Sequence, residues 1–373
     1  MSDMVIESVD TTILDVPLLR PHRFATTTMH HQSFVIVKVR TCQGVQGVGE
    51  AVVVGGPWWG GETIEGIKIL IDTYLTPHLV GQDAAAVGHL TARMDLAVAG
   101  NPFAKAGVEM ALWDAAGKSL GVPLHALFGG LRRSSIPVTW ALGAEPAEVV
   151  IEEAQRKLAA GEHASFKLKM GADDPAADVR RVRTVTRALA PHASVRVDLN
   201  GAWDELTATR WLPHLQDAGV DLVEQPVPGW NLGAMRRLAD RLTIPIMADE
   251  SLRTPHDALT LYQSQAADVY ALKIAKSGGM SAVHRIAAIA ESAAIPCYGG
   301  TTLESSLGTA ASVHAFCSSA AVTAGSELFG PLLLADDLAE EPLTYRDGHV
   351  HVPTGPGLGV TLDEKKLIKY RRR

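Results

Sequence analysis

Hydrophobic and polar positions change their rhythm once along this chain, near residue 130. Before that point, three strand-like stretches lie at 5–14, 33–40 and 45–54, with Gln43-Gly44 marking a hairpin turn between the last two. Helical patterns follow at 63–79, 85–97 and 103–120. The last has marked ends, with Asn101 at the N-cap position, Pro102 in the first turn and Gly121 just past the end. Strands followed by helices predict an α+β domain over 1–130.

After Gly130 short β-rich apolar runs recur, each followed by a helical stretch. They lie at 136–142, 165–169, 194–199, 221–224, 244–249, 268–273, 295–298 and 321–328, mostly 22 to 31 residues apart. That interval is the length of one strand-loop-helix-loop unit. A doubly wound sheet also alternates strand and helix, but eight units at this period predict a closed (β/α)8 TIM-type barrel over 131–330. One further strand is expected at 349–352. The segment 331–373 is expected to return and pack on the first domain, which would cap the barrel.

Bulk properties narrow the function classes. The chain has 373 residues, 47% of them hydrophobic and 20% charged, enough to bury a large core. Its formal charge of −7 argues against nucleic acid as a partner. Six of the nine residues from 365 to 373 are basic, which suits a solvated tail or a subunit contact. Cys42, Cys297 and Cys317 are far apart and odd in number, so they form neither a disulfide framework nor a zinc site, and a reducing cytoplasm is expected. The first ten residues carry three acids and no cationic start, so no secretion signal is expected. The longest charge-free run, 305–326, is rich in Gly, Ser and Thr and makes a poor membrane span. Gly355-Pro356-Gly357-Leu358-Gly359 lacks the strand-to-helix context of a phosphate loop and reads as a turn. Met110, Leu112 and Trp113 fall on a helical pattern and read as core.

Function in such barrels collects at the C-terminal ends of the strands, and here those ends are charged. Strand two closes with Lys167-Leu168-Lys169, strand three with Asp198-Leu199-Asn200 and strand four with Glu224-Gln225-Pro226. Strand five closes with Asp249-Glu250-Ser251, strand six with Lys273-Ile274-Ala275-Lys276, and strand eight contains Glu327. The steps from Asp198 to Glu224, Asp249 and Lys273 are 26, 25 and 24 residues, so the charges keep the period of the strands. Three converging carboxylates repel one another unless a cation sits among them. Asp198, Glu224 and Asp249 offer oxygen alone, which selects Mg²⁺ or Mn²⁺ over zinc or copper. Three protein ligands leave open positions for substrate oxygens, so the ion can act as a Lewis acid on a carboxylate. Lys167 and Lys169 point the same way on their strand. Adjacent ammoniums near a dication are expected to depress each other's pKa and free one as an acid or base. A cation holding a carboxylate, with lysines on both sides, is suited to making or quenching an enolate.

These residues resemble the muconate-lactonizing subgroup of the enolase superfamily, whose sites set a Lys or His base beside Mg²⁺. The resemblance covers the whole chain, extending to Arg20-Pro21-His22, Gly49-Glu50-Ala51, Tyr298-Gly299-Gly300-Thr301 and the run from Glu327 to Leu334. It implies lactonisation of cis,cis-muconate, a small dicarboxylate, to muconolactone in catechol degradation. It further implies Lys169 or Lys273 as the proton donor, with Lys169 preferred, Lys167 as electrostatic support and Glu327 as a charge partner. Substrate contacts are expected from His22, Val54, Trp59 and Asn200. Gly55-Gly56-Pro57-Trp58-Trp59-Gly60-Gly61 reads as a lid carrying two indoles. That loop resembles the chloromuconate enzymes at least as much as those acting on muconate. The resemblance also implies a homo-oligomer, an octamer, with no membrane partner. Dipeptide epimerase and o-succinylbenzoate synthase keep the same site, but dipeptide epimerases tend to carry an Asp-x-Asp pair at strand eight, where Ser326-Glu327-Leu328 offers one acid. A non-catalytic scaffold barrel has no reason to keep five charged strand ends.

Overall fold

The structure is a computed structural model and describes residues 4–24 and 27–372, so residues 1–3 of the acidic start and Arg373 of the basic tail lie outside it. Its first domain is an antiparallel sheet of Ile6–Arg23, Thr28–Thr41 and Gln46–Val52, backed by helices. The first strand runs well past the expected end at Leu14. Pro17 and Pro21 suggest a stop there, but a break in register between Pro17 and His22 lets pairing resume at His22 with Met29. The pattern at 63–79 is one helical stretch in three parts, because a wide turn at Ile71–Leu75 precedes the last turn, Thr76–Leu79, which contains Pro77.

The helix Pro102–Leu120 lies against this sheet. A Cβ on Gly47 would come 2.0 Å from the Ala111 carbonyl oxygen, and one on Gly49 would come 2.1 Å from that of Gly107. Only glycine permits so close an approach. Asn101 holds the N-cap position but its side chain caps nothing. Glu62 takes that role from outside the helix, accepting from the Phe103 and Ala104 amides at 2.9 and 3.2 Å. Gly121 ends the helix in the left-handed region, at φ 68°. Met110 and Leu112 are buried, and Trp113 packs edge-on to Phe128 at 4.9 Å.

Eight parallel strands follow: Trp140–Leu142, Ser165–Lys169, Ser194–Asp198, Leu222–Glu224, Ile246–Ala248, Val269–Leu272, Cys297–Gly299 and Val322–Ser326. A parallel bridge between Val138 and Ser326 joins the eighth strand to the approach of the first, closing the barrel. Leu222, Met247, Val269, Ala271 and Tyr298 pack together as one small apolar cluster. The run expected at 136–142 divides in two. Trp140–Leu142 enters the barrel, while Ser135–Pro137 pairs antiparallel with His349–His351, the late strand expected at 349–352.

The remaining C-terminal segment touches the first domain. The Ala335 amide donates to Pro17 O at 2.8 Å, and that of Arg372 donates to Ile13 O at 3.0 Å. Several of its basic residues pair within the chain, Lys366 and Lys369 with Asp336 at 3.3 and 3.1 Å and Arg372 with Asp15 at 2.7 Å. The charge-free run contains Ser306–Ser318, a helix with every residue buried. Among the described residues no helix is long and apolar enough to cross a membrane. The three cysteines are free thiols.

Candidate active site

The charged strand ends converge at one mouth. Lys167 and Lys169 stand on the second strand, and Asp198 and Glu224 close the third and fourth. Asp249, Lys273 and Glu327 each follow directly on the last residue of the fifth, sixth and eighth strands. All seven side chains are buried. Lys169 Nζ lies 2.5 Å from Asp198 Oδ2 and 3.1 Å from Asn200 Oδ1. Lys167 Nζ is 2.9 Å from Glu224 Oε2 and 3.5 Å from Asp198 Oδ2, and it also pairs with Glu327. Lys273 Nζ is 2.6 Å from Asp249 Oδ2.

Lys276 was not singled out from the sequence, yet it completes the set. One helical turn beyond Lys273, its Nζ reaches Asp249 Oδ1 at 2.5 Å and the Asp249 and Ala271 carbonyls at 2.7 and 2.9 Å. Glu250 was likewise quoted in a motif without a role. Its Oε1 accepts from Trp59 Nε1 at 2.8 Å and from Asn200 Nδ2 at 3.1 Å.

These pairings set the ionisation. Burial would raise Asp249, but Lys273 and Lys276 hold it well below the carboxylate range. Burial likewise opposes charge on Asp198, and Lys169 and Lys167 outweigh it. Glu224 goes the other way, pushed up to about 8 by burial and then by Asp198. Lys167 departs from expectation. Burial disfavours its charge, yet Glu224, Glu327 and Asp198 together hold it well above the usual lysine value. Neighbouring carboxylates, not the neighbouring lysine, dominate there. Lys276 is the lysine whose pKa is lowered, chiefly by burial.

The donors fit a hard divalent cation. Three buried carboxylates present oxygen only, and Glu224 Oε1 is buried with no hydrogen-bond partner. Among the described residues no three Asp, Glu, His or Cys side chains stand in ligating geometry, because lysine ammoniums are inserted among the carboxylates.

Above these groups is a cavity of about 380 Å³ including its open mouth. Lys167, Lys169, Lys273 and Glu327 line it from the barrel, as does Asn200. His22, Val54 and Trp59 line it from the first domain. Asp198, Glu224 and Asp249 lie outside the lining, paired with the lysines. His22 Nδ1 is 3.1 Å from Arg20 Nη1. Burial, then Arg20, Lys169 and Lys167, hold its pKa well below the ordinary value. The imidazole is therefore neutral, with Nδ1 accepting and the proton on Nε2. Phe24, Ala141 and Leu303 add apolar wall that the sequence did not single out, and Phe329, from the run that carried the resemblance, completes it. The sequence offered no signal for Phe24, since the strand that brings it there was expected to end at Leu14 and runs on to Arg23.

Two family models match the chain: "Mandelate racemase / muconate lactonizing enzyme, N-terminal domain" over residues 8–129 and "Enolase C-terminal domain-like" over 149–366. Muconate cycloisomerase 1 of Rhodococcus opacus is 50% identical over 372 residues, covering 100% of both chains. A crystal structure of muconate lactonizing enzyme from Pseudomonas fluorescens, complexed with muconolactone, matches with a TM-score of 0.98 at 46% identity, covering 99% of this chain and 100% of that one. That of 2-chloromuconate cycloisomerase from Rhodococcus opacus matches at 0.97 and 49%, with the same coverage. With a barrel closed on eight strands, a ring of carboxylates and lysines at its mouth and full-length relatives of the same build, the chain belongs to the mandelate racemase/muconate lactonizing enzyme family of the enolase superfamily.

Proposed function

We propose that this chain is a muconate cycloisomerase, an isomerase that converts cis,cis-muconate to muconolactone. The observation that carries the proposal is Lys169 and Lys273 lining one cavity, each backed by a buried carboxylate, in a chain half identical to a muconate cycloisomerase. Attack of one substrate carboxylate on the double bond closes the lactone and leaves an enolate at the other carboxylate. The carbon α to that carboxylate must then take one proton. Lys169 donates it, held in place by Asp198 and Asn200. Lys273 stabilises the enolate charge from the sixth strand, and Lys167, bound to Glu224 and Glu327, adds positive potential below.

Asp198, Glu224 and Asp249 would hold Mn²⁺ or Mg²⁺, which supplies Lewis-acid stabilisation of the substrate carboxylate. Charge supports a dianionic substrate. Lys167, Lys169 and Lys273 all line the cavity, where their ammoniums can face the substrate carboxylates. The neutral His22, Val54 and Trp59 contact the substrate from above.

Chloromuconate is the second reading, favoured by the 2-chloromuconate relative. An epimerase is disfavoured, because Ser326 is spent on the Pro137 carbonyl at 2.8 Å and leaves Glu327 as the acid at that strand end. Turnover of muconate, chloromuconates, a dipeptide and the succinylbenzoate precursor, followed by NMR of products, tests this. Lactone from muconate is expected, and epimerised dipeptide without lactone would overturn it. The chain is proposed to work in the cytoplasm as a homo-oligomer, an octamer. Leu96, Leu206 and Trp230, each more than 80% exposed, are apolar surface that subunit contacts would cover. Sedimentation velocity reads the assembly directly.

A further inference from the structure

Gly55, Gly56 and Gly61 adopt φ of 61°, 108° and 81°, in the left-handed region that glycine reaches without strain. They bracket the short turn Pro57–Gly60, which carries Trp59 over the barrel mouth. Among the described residues, one side-chain hydrogen bond runs from the segment 55–61 to the barrel. It goes from Trp59 Nε1 to Glu250 Oε1, at 2.8 Å. The same oxygen accepts from Asn200 Nδ2 at 3.1 Å, and Asn200 Oδ1 accepts from Lys169 Nζ at 3.1 Å. On its other side the Trp59 ring faces Lys273 Nζ, 4.5 Å from the ring centroid. One indole thus reaches both lysines, one through two side chains and one through its π face.

Glu250 Oε2 is buried without any hydrogen-bond partner. A carboxylate left half satisfied costs stability, so packing does not account for it. We infer that Glu250 is a positioning residue, a latch that ties closure of the 55–61 lid to the placement of Lys169 and Lys273. With the lid shut, Trp59 and Asn200 converge on one Glu250 oxygen and both lysines are aimed. With the lid open, Asn200 loses a fixed partner, Lys273 loses the ring, and neither lysine is set. Water is therefore excluded whenever the lysines are ready.

The latch rests on the proposed cycloisomerase for the reaction it serves, but its test does not need turnover. Glu250→Ala and Trp59→Phe should each speed amide hydrogen exchange across 55–61 by about tenfold, the worth of one hydrogen bond to a carboxylate. Exchange in the barrel strands should stay unchanged. Glu250→Gln keeps an acceptor oxygen and should stay close to wild type. In the cycloisomerase assay, each latch-breaking change should lower kcat more than it alters KM. The double variant Glu250→Ala with Trp59→Phe should be no slower than the worse single one. Unchanged exchange in both single variants, or losses that multiply in the double, would overturn the latch. Should Glu250→Ala fail to fold, Trp59→Phe decides by the same exchange readout. A wild type that ignores muconate, with both variants still showing the faster exchange, would remove the substrate and keep the latch.

Discussion

Buried carboxylates in two parts of this molecule, the barrel mouth and the joint between the domains, are held in different ways. At the barrel mouth, Asp198 and Asp249 are countered by lysine ammoniums, which keep both charged. At the joint between the domains, carboxylates meet chiefly backbone amides and hydroxyls. Glu109 accepts from the Met280 and Ser281 amides at 2.5 and 3.0 Å, capping the helix Met280–Ser292. Asp114 accepts from the Val48 and Leu358 amides, each at 2.8 Å, and pairs with Lys118 at 2.6 Å. Glu50 accepts from the Ser305 amide at 3.1 Å and also from its hydroxyl. Burial raises the pKa of all three. Burial of an acid therefore does not mark chemistry. The set of partners does. At the joint each acid is fixed by backbone amides, with the Lys118 ammonium also beside Asp114, whereas the several ammoniums at the mouth can give way to a metal ion and a substrate.

The comparison predicts separable losses. Asp198→Ala, Glu224→Ala or Asp249→Ala should each cut turnover by about 10³-fold or more, with several kcal/mol of transition-state stabilisation removed. Dialysis against chelator should do the same to the wild type, with Mn²⁺ or Mg²⁺ restoring it. Full activity after chelation would place these acids with the joint. Next in size, Lys169→Ala should cost about 10²–10⁴ in rate. Loss of Lys273 could slow the enzyme as much through its charge, so product stereochemistry in D₂O decides between them. Deuterium on the face of the attacking oxygen supports Lys169, and the opposite face assigns the proton to Lys273.

Joint residues should behave differently. Glu109→Ala should lower stability by about 2–3 kcal/mol through the exposed helix end, while the folded fraction keeps its kcat. Thermal unfolding beside active-site titration measures both. A second residue of the joint makes stability depend on pH. Glu50 is raised from an ordinary 4.5 to about 8, first by burial, so the folded chain holds a proton that the unfolded chain releases. Its contribution is complete below pH 4.5 and is lost as pH rises through 8, by up to about 1.4 kcal/mol per pH unit. Glu50→Gln should flatten the fall of Tm between pH 5 and 9, and an unchanged slope would contradict the assignment.

Much of the fold was legible because strand and helix periods and the charged strand ends are local properties. The eight-unit rhythm, Lys169, Asp198, Glu224, Asp249 and Lys273 could all be read that way. What escaped depends on partners far along the chain. Asn101 has the residue type of a cap, but Glu62 supplies the capping oxygen. Gly49-Glu50-Ala51 carried part of the family resemblance without a stated role, and Glu50 bonds Ser305 across 255 residues. The stretch 136–142 is uniform in pattern, yet its halves pair with different sheets.

The sequence by itself determined that carboxylates and lysines end successive strands, since the repeat length and side-chain alternation place them there whatever surrounds them. Tertiary structure decided which acid meets an ammonium and which meets an amide. It also decided that Trp59 would rest on Glu250, 191 residues away. Such pairings exist only once the chain has closed on itself, because the energy that selects them comes from burial and charge shared between distant segments.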